Sequence, residues 1–186
     1  MVGAGPAGCA AAYTLAKAGL SVLVVERGKF AGAKNITGGV LYGAVLNNLL
    51  PNFWEEAPVE RYINRHIITF LSEKSSLSLD FNAAGFNQPP YNGFTVLRAK
   101  FDRWLAKKVE QAGAIVATGL RADDLLWDNH RVAGIIAGGD KLPADVVIAA
   151  DGVNSVLAQK AGLGKMPLSV QVNQGVKEII KLPRET

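Results

Sequence analysis

The sequence predicts an α/β fold built on a parallel, doubly wound sheet. Three observations predict it. A glycine-rich turn, Gly3-Ala4-Gly5-Pro6-Ala7-Gly8, opens an alanine-rich stretch. A short β-branched run, SVLVVE at 21–26, follows and ends on an acid, Glu26. A second such run, ADVVIAAD at 144–151, ends on Asp151-Gly152. Short continuous apolar runs mark strands buried on both faces. Glycine turn, helix, strand and terminal acid, in that order, describe the first unit of a Rossmann-like domain.

The elements follow in order. Residues 6–18 are rich in small apolar side chains, and Gly19 supplies a helix stop. The run 21–26 is a buried strand. Residues 28–48 are glycine-rich and irregular, with GAKNITGGVLYG at 32–43, and a short helix ends at Pro51. RHIITFL (65–71) and SLSLDF (76–81) form a hairpin, and FTVLR (94–98) is a strand. The stretch 99–113 is a helix with Phe101, Leu105 and Val109 on one face and Gly113 at its end. AIVATG (114–119), DDLLWD (123–128) and RVAGIIAG (131–138) are further strands. After the strand 144–151, a helix covers roughly 153–161. SVQVNQGVKEIIKL (169–182) alternates like a strand.

Composition narrows the class. Apolar residues make up 49% of the 186 and charged residues 19%, which suits a packed globular chain. The net charge of +4 is scattered, and the densest basic spot, Lys107-Lys108, lies on an amphipathic stretch, so no nucleic-acid partner is expected. The single cysteine, Cys9, excludes an intrachain disulfide, a four-cysteine iron–sulfur cluster and a disulfide-type flavin reductase. Cys9 is expected to be a packed small side chain. His66 and His130 have no partner pattern for metal or triad chemistry. No apolar run approaches the ~20 residues of a spanning helix. These features predict a soluble chain of a reducing compartment, cytoplasmic, with room for peripheral contact at the inner face of the membrane.

The glycine motif carries chemistry. Gly3 makes a tight turn, Gly5 lets a pyrophosphate approach the backbone, and Gly8 lets the helix pack on the sheet. The helix start at Pro6-Ala7 offers unpaired N–H groups and a positive dipole end to phosphates. Residues 9–25 separate Gly8 from Glu26, which places a carboxylate where it can accept hydrogen bonds from an adenosine ribose. That carboxylate also repels a 2′-phosphate, which argues against NADP.

FAD and NAD share this fingerprint. In a plain NAD domain strands and helices keep alternating after the acid. Here the glycine-rich stretch and antiparallel strands intervene, and the parallel pattern returns only near residue 94. Asp151-Gly152 then lies at the C-terminal edge of a buried strand, where open α/β sheets bind ligands. Gly152 permits close approach and Asp151 can bond a ribityl or phosphate group; the alternative for Asp151 is a helix cap.

Together GAGPAG, VVERG, LRAKFDRWL and AADGVNS resemble the FAD-dependent superfamily of geranylgeranyl reductases, aromatic hydroxylases and electron transfer flavoprotein–quinone oxidoreductases. AGAKNITGGVLYG, PVERYI and QGVKEIIKLP narrow the resemblance to the FixC-type electron transfer flavoprotein–quinone oxidoreductases. It extends over essentially the whole chain. It implies a Rossmann-like FAD-binding domain of the glutathione-reductase type with inserted antiparallel strands. Arg98 would lie near the phosphates, and Asp151 and Gly152 near the ribityl and pyrophosphate. Arg27 and the stretch holding Lys34, Thr37, Gly38 and Gly39 would line the cofactor. Electrons would come from an electron transfer flavoprotein and pass toward a quinone or a ferredoxin-like protein. The alternatives are a geranylgeranyl-reductase-like or hydroxylase-like flavoenzyme, or a non-catalytic FAD-binding fragment.

Only Met1 and Val2 precede the glycine turn, where a strand of ~5–6 residues belongs. The first strand is therefore expected to be truncated, and residues 1–186 to be a fragment. Its inserted β region is expected near 60–95, and a substrate or acceptor domain from near 168.

Overall fold

The computed structural model describes residues 1–173, 175, 176 and 180. Helix α1 (Pro6–Lys17) follows the glycine turn and leads to strand β1 (Leu23–Glu26). Strand β2 (Gly38–Tyr42) runs into helix α2 (Gly43–Leu49). Three strands come next: β3 (Val59–Ile63), β4 (Arg65–Leu71) and β5 (Ser76–Asn82). Strand β6 (Gly93–Leu97) feeds helix α3 (Arg98–Gln111). The chain continues through β7 (Ile115–Thr118), β8 (Ala122–Asp128), β9 (Arg131–Ala137) and β10 (Asp140–Pro143) to helix α4 (Val156–Lys160).

The parallel layer is narrow. β1 pairs in parallel with β7, from Leu23 opposite Ile115 to Glu26 opposite Thr118. On the other edge of β1, Val2 bridges Val25 and, beyond it, Ala149, both in parallel. Val2 N–H donates to Ile148 O at 2.9 Å, and Ala150 N–H to Val2 O at 2.8 Å. Val2 thus lies between β1 and the segment carrying Ala149.

Both faces of this layer are covered. On one side Val24 packs with Cys9, Ala12 and Ala16 of α1 and with Phe101, Leu105 and Val109 of α3. The four-residue spacing of those α3 residues builds a single buried stripe. On the other side Val2 and Val25 pack with Leu125, Ile135 and Ala137 of the antiparallel sheet β10–β9–β8, and with Leu157 of α4. A second antiparallel sheet, in the order β2–β6–β3, is tied to the first core through Phe94 and Val96. The β4–β5 hairpin stands as a two-stranded sheet. His66, Ile68 and Phe70 pair there with Phe81, Leu79 and Leu77, so one of its faces is almost wholly apolar, and these apolar side chains are exposed.

Several expectations need correction. The run 144–151 is not a regular buried strand: Ala149 makes an isolated bridge and Val146 is 72% exposed. A parallel strand needs a ladder along its length, and here Val2 bridges it at a single residue. Residues 38–42, expected to be irregular, form β2, and β3 and β10 lie where no strand is predicted. The predicted strand at 169–182 begins instead as a 3-10 turn, Ser169–Gln171. Its Gln174, residues 177–179 and residues 181–182 lie outside the described residues. Among the described residues no helix is long and apolar enough to cross a membrane, and no cluster of three metal-ligating side chains occurs.

Candidate functional site

The C-terminal ends of β1 and of the segment carrying Ala149 open onto a cavity of about 560 Å³. Gly3, Gly5, Pro6 and Ala7 form its floor. Glu26 and Arg27 come from the end of β1, Lys34 from the following loop, and Arg98 from the start of α3. Asp151 and Gly152 close the far side. The structure thus gathers residues from five separate stretches of sequence. Gly8, in the first turn of α1, is buried.

The three motif glycines differ in what they do. Gly3 has φ +96°, and a Cβ there would stand 2.4 Å from Ala150 O. At Gly8 a Cβ would stand 1.9 Å from Gly3 O. Both are required by backbone packing. Gly5 and Gly152 are the opposite case: a Cβ at either would meet nothing within 4 Å. Their bare backbone faces open space in the cavity.

The start of α1 is left open. Gly5 is its N-cap, no side chain caps it, and Pro6 has no N–H to satisfy. The N–H groups of the first turn and the positive dipole end therefore remain available to an anion. Of the lysines and arginines on the wall, Arg98 is paired with Asp102, Arg121 with Asp123 and Lys160 with Asp124. Arg27 and Lys34 make no ion pair among the described residues.

Glu26 is already engaged. Its Oε2 accepts from Ala4 N–H at 3.0 Å and its Oε1 from Gly28 N–H at 2.7 Å. Each oxygen keeps a further lone pair. Asp151 lines the cavity and also caps α4, with Oδ2 accepting from Leu157 N–H at 2.7 Å. The helix-capping role is thus present, on a residue that also faces the cavity. Thr37, Gly38 and Gly39 do not line this cavity. Gly38 belongs to β2, where a Cβ would stand 2.7 Å from Val96 O.

Asn35, within the stretch expected to line the cofactor, lines the cavity; sequence reasoning missed Asp102, Arg121 and Lys160, which line it too. Asp102 is buried among otherwise apolar neighbours on α3. The signal for it was present: Arg98, Asp102, Leu105 and Val109 fall on one helical stripe at i, i+4, i+7 and i+11. Asp102 also answers an oddity of sequence, a cation at the start of a helix. The dipole disfavours Arg98 there, and the carboxylate one turn on offsets it.

Cys9 lies just beneath the floor, fully buried, with Sγ donating to Ala4 O at 3.4 Å. Burial pushes its thiol up to about 12, with Asp102 and Glu26 adding to the effect. The fold thus favours the neutral thiol. Its contribution to stability is fully present below the ordinary thiol value of 9.0 and is lost as pH rises toward 12. Cys9 should therefore resist a thiol-specific reagent at neutral pH and react on unfolding. Melting temperature should fall between pH 9 and pH 11 less steeply in Cys9→Ala than in the parent. Rapid labelling of the folded protein at pH 7 would contradict this.

An uncapped glycine turn, backbone bare at two facing points, unpaired cations and a strand-end carboxylate define a dinucleotide-binding protein of the α/β class. Comparison with known proteins carries this further. Residues 1–164 match the family model described as FAD dependent oxidoreductase, and the chain belongs to that family, whose cofactor is FAD. It is 47% identical over 184 residues to Protein FixC of Escherichia coli O157:H7, covering 99% of this chain and 43% of that protein. It is 46% identical to the probable electron transfer flavoprotein-quinone oxidoreductase YdiS of Escherichia coli K12, covering 100% of this chain and 43% of that one. Among solved structures, a geranylgeranyl bacteriochlorophyll reductase-like protein of Thermoplasma acidophilum is 31% identical with a TM-score of 0.74, covering 90% of this chain and 42% of that one. The chain thus spans less than half the length of these relatives.

Proposed function

We propose that this chain is the FAD-binding part of a FixC-type oxidoreductase, passing electrons from a reduced electron transfer flavoprotein toward a quinone. The observation that carries the cofactor assignment is the cavity in which Gly5 and Gly152 present side-chain-free backbone to the same space. The likeness to YdiS supports the electron donor and acceptor. A ferredoxin-like protein is the other acceptor with suitable chemistry. A quinone acceptor is lipid-borne, which supports peripheral contact with a membrane; a cytoplasmic position at its inner face is part of the proposal.

The residues fit the cofactor. Gly5 and the open N–H groups of the first turn of α1, with Arg27 or Lys34, would hold the pyrophosphate. Glu26 would accept from the adenosine ribose. Asp151 and Gly152 would hold the ribityl end. When bound, FAD supplies the redox chemistry, and the chain supplies binding, orientation and electrostatics. No protein acid, base or nucleophile is assigned.

Flavin absorbance in the purified protein tests the cofactor. Bleaching by reduced electron transfer flavoprotein, and not by NADPH, tests the donor. A second function is favoured by one observation, the Thermoplasma structure: a geranylgeranyl-reductase-like flavoenzyme. Bleaching by NADPH alone would favour that one.

Gly152→Val gives a sharper test of the site. The glycine has φ +78° and open space before it. A branched side chain there is strained by roughly 1–2 kcal/mol and projects into the cavity. The expected product is a folded protein, unchanged by circular dichroism, that retains little FAD. A fully flavinated Gly152→Val protein would remove Gly152 from the site.

A further inference from the structure

Asp102 is the one buried charged side chain among the described residues. Burying a carboxylate is costly unless donors surround it. Its donors come from two elements. Arg98 Nε donates to Oδ1 at 2.8 Å and Arg98 Nη2 to Oδ2 at 2.9 Å. Asn35 Nδ2, from the loop between β1 and β2, donates to Oδ2 at 2.5 Å. An exposed i, i+4 pair needs no such third partner.

The loop is pressed against the start of α3 around this contact. Gly32 has φ +83°, and a Cβ there would stand 2.8 Å from Asp102 Cβ and 2.9 Å from Arg98 O. Asn35 N–H donates to Gly32 O at 2.9 Å, and Arg98 N–H reaches Thr37 O at 3.4 Å. Arg103 lies 3.8 Å over the Phe30 ring, further bracing loop to helix. Gly32, Lys34, Asn35, Arg98 and Asp102 all line the cavity.

We propose that Asp102 is a positioning residue of the cofactor site. Its carboxylate grips one edge of the Arg98 guanidinium and fixes the other edge toward the cavity. Through Asn35 it also docks the loop that carries Lys34. Two cations from distant parts of the chain are thereby held as one wall. The partner they fit is the anionic pyrophosphate of the dinucleotide. Asp102 offsets the charge of Arg98, so Arg98 contributes directed hydrogen bonds while Lys34 supplies net charge. This role presupposes the FAD site proposed above.

The test is a double-mutant cycle on FAD affinity, read by titration of the cofactor-free protein, with its melting temperature measured in parallel. Asp102→Asn is nearly isosteric and keeps one acceptor for Arg98. Asp102→Asn and Arg98→Ala should each weaken FAD binding by about tenfold or more, the loss of hydrogen bonds to a charged group. Asp102→Asn should weaken binding far less in the Arg98→Ala background than in the parent, because only its route through Asn35 and the Lys34 loop is then left to lose. A merely structural Asp102 would lower the melting temperature yet weaken FAD equally with or without Arg98, and that multiplicative result would overturn the proposal. So would parental affinity in Asp102→Asn. If the parent protein itself takes up no FAD, the flavin assignment fails and this role falls with it. If the parent binds and only the coupling is absent, the flavin site stands and Asp102 loses its role.

Discussion

Gly8→Ala is expected to cost the protein its fold, whereas Gly5→Ala should cost it only its cofactor. The two glycines are three residues apart in one motif, yet their surroundings are opposite. A Cβ at Gly8 would stand 1.9 Å from Gly3 O and 3.3 Å from Ala150 Cβ. Neither neighbour can retreat cheaply. Gly3 is fixed by its N–H bond to Val25 O at 2.8 Å, and Ala150 by its bond to Val2 O at 2.8 Å. Helix α1 would have to lift away, pulling Cys9, Ala12 and Ala16 out of the core. Overpacking of this severity costs about 3 kcal/mol or more, a large share of the roughly 5–15 kcal/mol that holds a domain together. At Gly5 the backbone has φ −77° and the new methyl meets no protein atom within 4 Å. It stands where the pyrophosphate is proposed to lie. Thermal melts of the cofactor-free variants, with flavin content measured separately, separate the two. A parental melting temperature in Gly8→Ala would contradict the packing role. Undiminished FAD in Gly5→Ala would move the pyrophosphate elsewhere.

The same contrast explains what the sequence could disclose. The glycine turn, α1, β1 and α3 are legible because their signals are local: a fixed motif, a β-branched run, an apolar side chain every fourth residue. β2 is hidden because its glycines suggest a loop, while the reason for Gly38 is a backbone contact with Val96, far along the chain. The run 144–151 misleads in the other direction. VVIAA has the composition of a buried strand, but strand geometry is conferred by partners, and Val2 bridges only Ala149. The cavity divides in the same way. Gly3 to Gly8 and Glu26 follow from spacing within one β–α–β unit. The contact of Asn35 with Asp102 joins residues 67 apart and depends on how the loop docks on α3. Periodicity places Asp102 on the buried stripe but does not say what meets it there.

Substituting Glu26 is the second large expected effect, and Gln should prove nearly as damaging as Ala. Both carboxylate oxygens already accept a backbone N–H, one from Ala4 and one from Gly28. Ala4 is fully buried, so its N–H cannot turn to water instead. In Glu26→Ala these donors lose their acceptor, at a cost of about 1–3 kcal/mol for each buried one. A glutamine supplies one oxygen and one amide N–H₂ group. Whichever way it is placed, the amide faces a backbone N–H, donor against donor. Glu26→Asp, one methylene shorter, cannot span both donors. The glycine turn should therefore loosen in all three variants before any cofactor is added. The proposed ribose contact adds a separate loss of roughly 1–3 kcal/mol in FAD binding for Glu26→Ala. The two effects can be told apart. Bracing of the turn is read from the melting temperature of the cofactor-free protein. The ribose contact is read from the further rise that FAD produces, since a ligand stabilises in proportion to its affinity. If Glu26 only braces the turn, the FAD-induced rise survives in Glu26→Gln while the starting temperature falls. If it also holds the ribose, both fall together. Parental values of both would mean that Ala4 and Gly28 find other acceptors and that the ribose is held elsewhere.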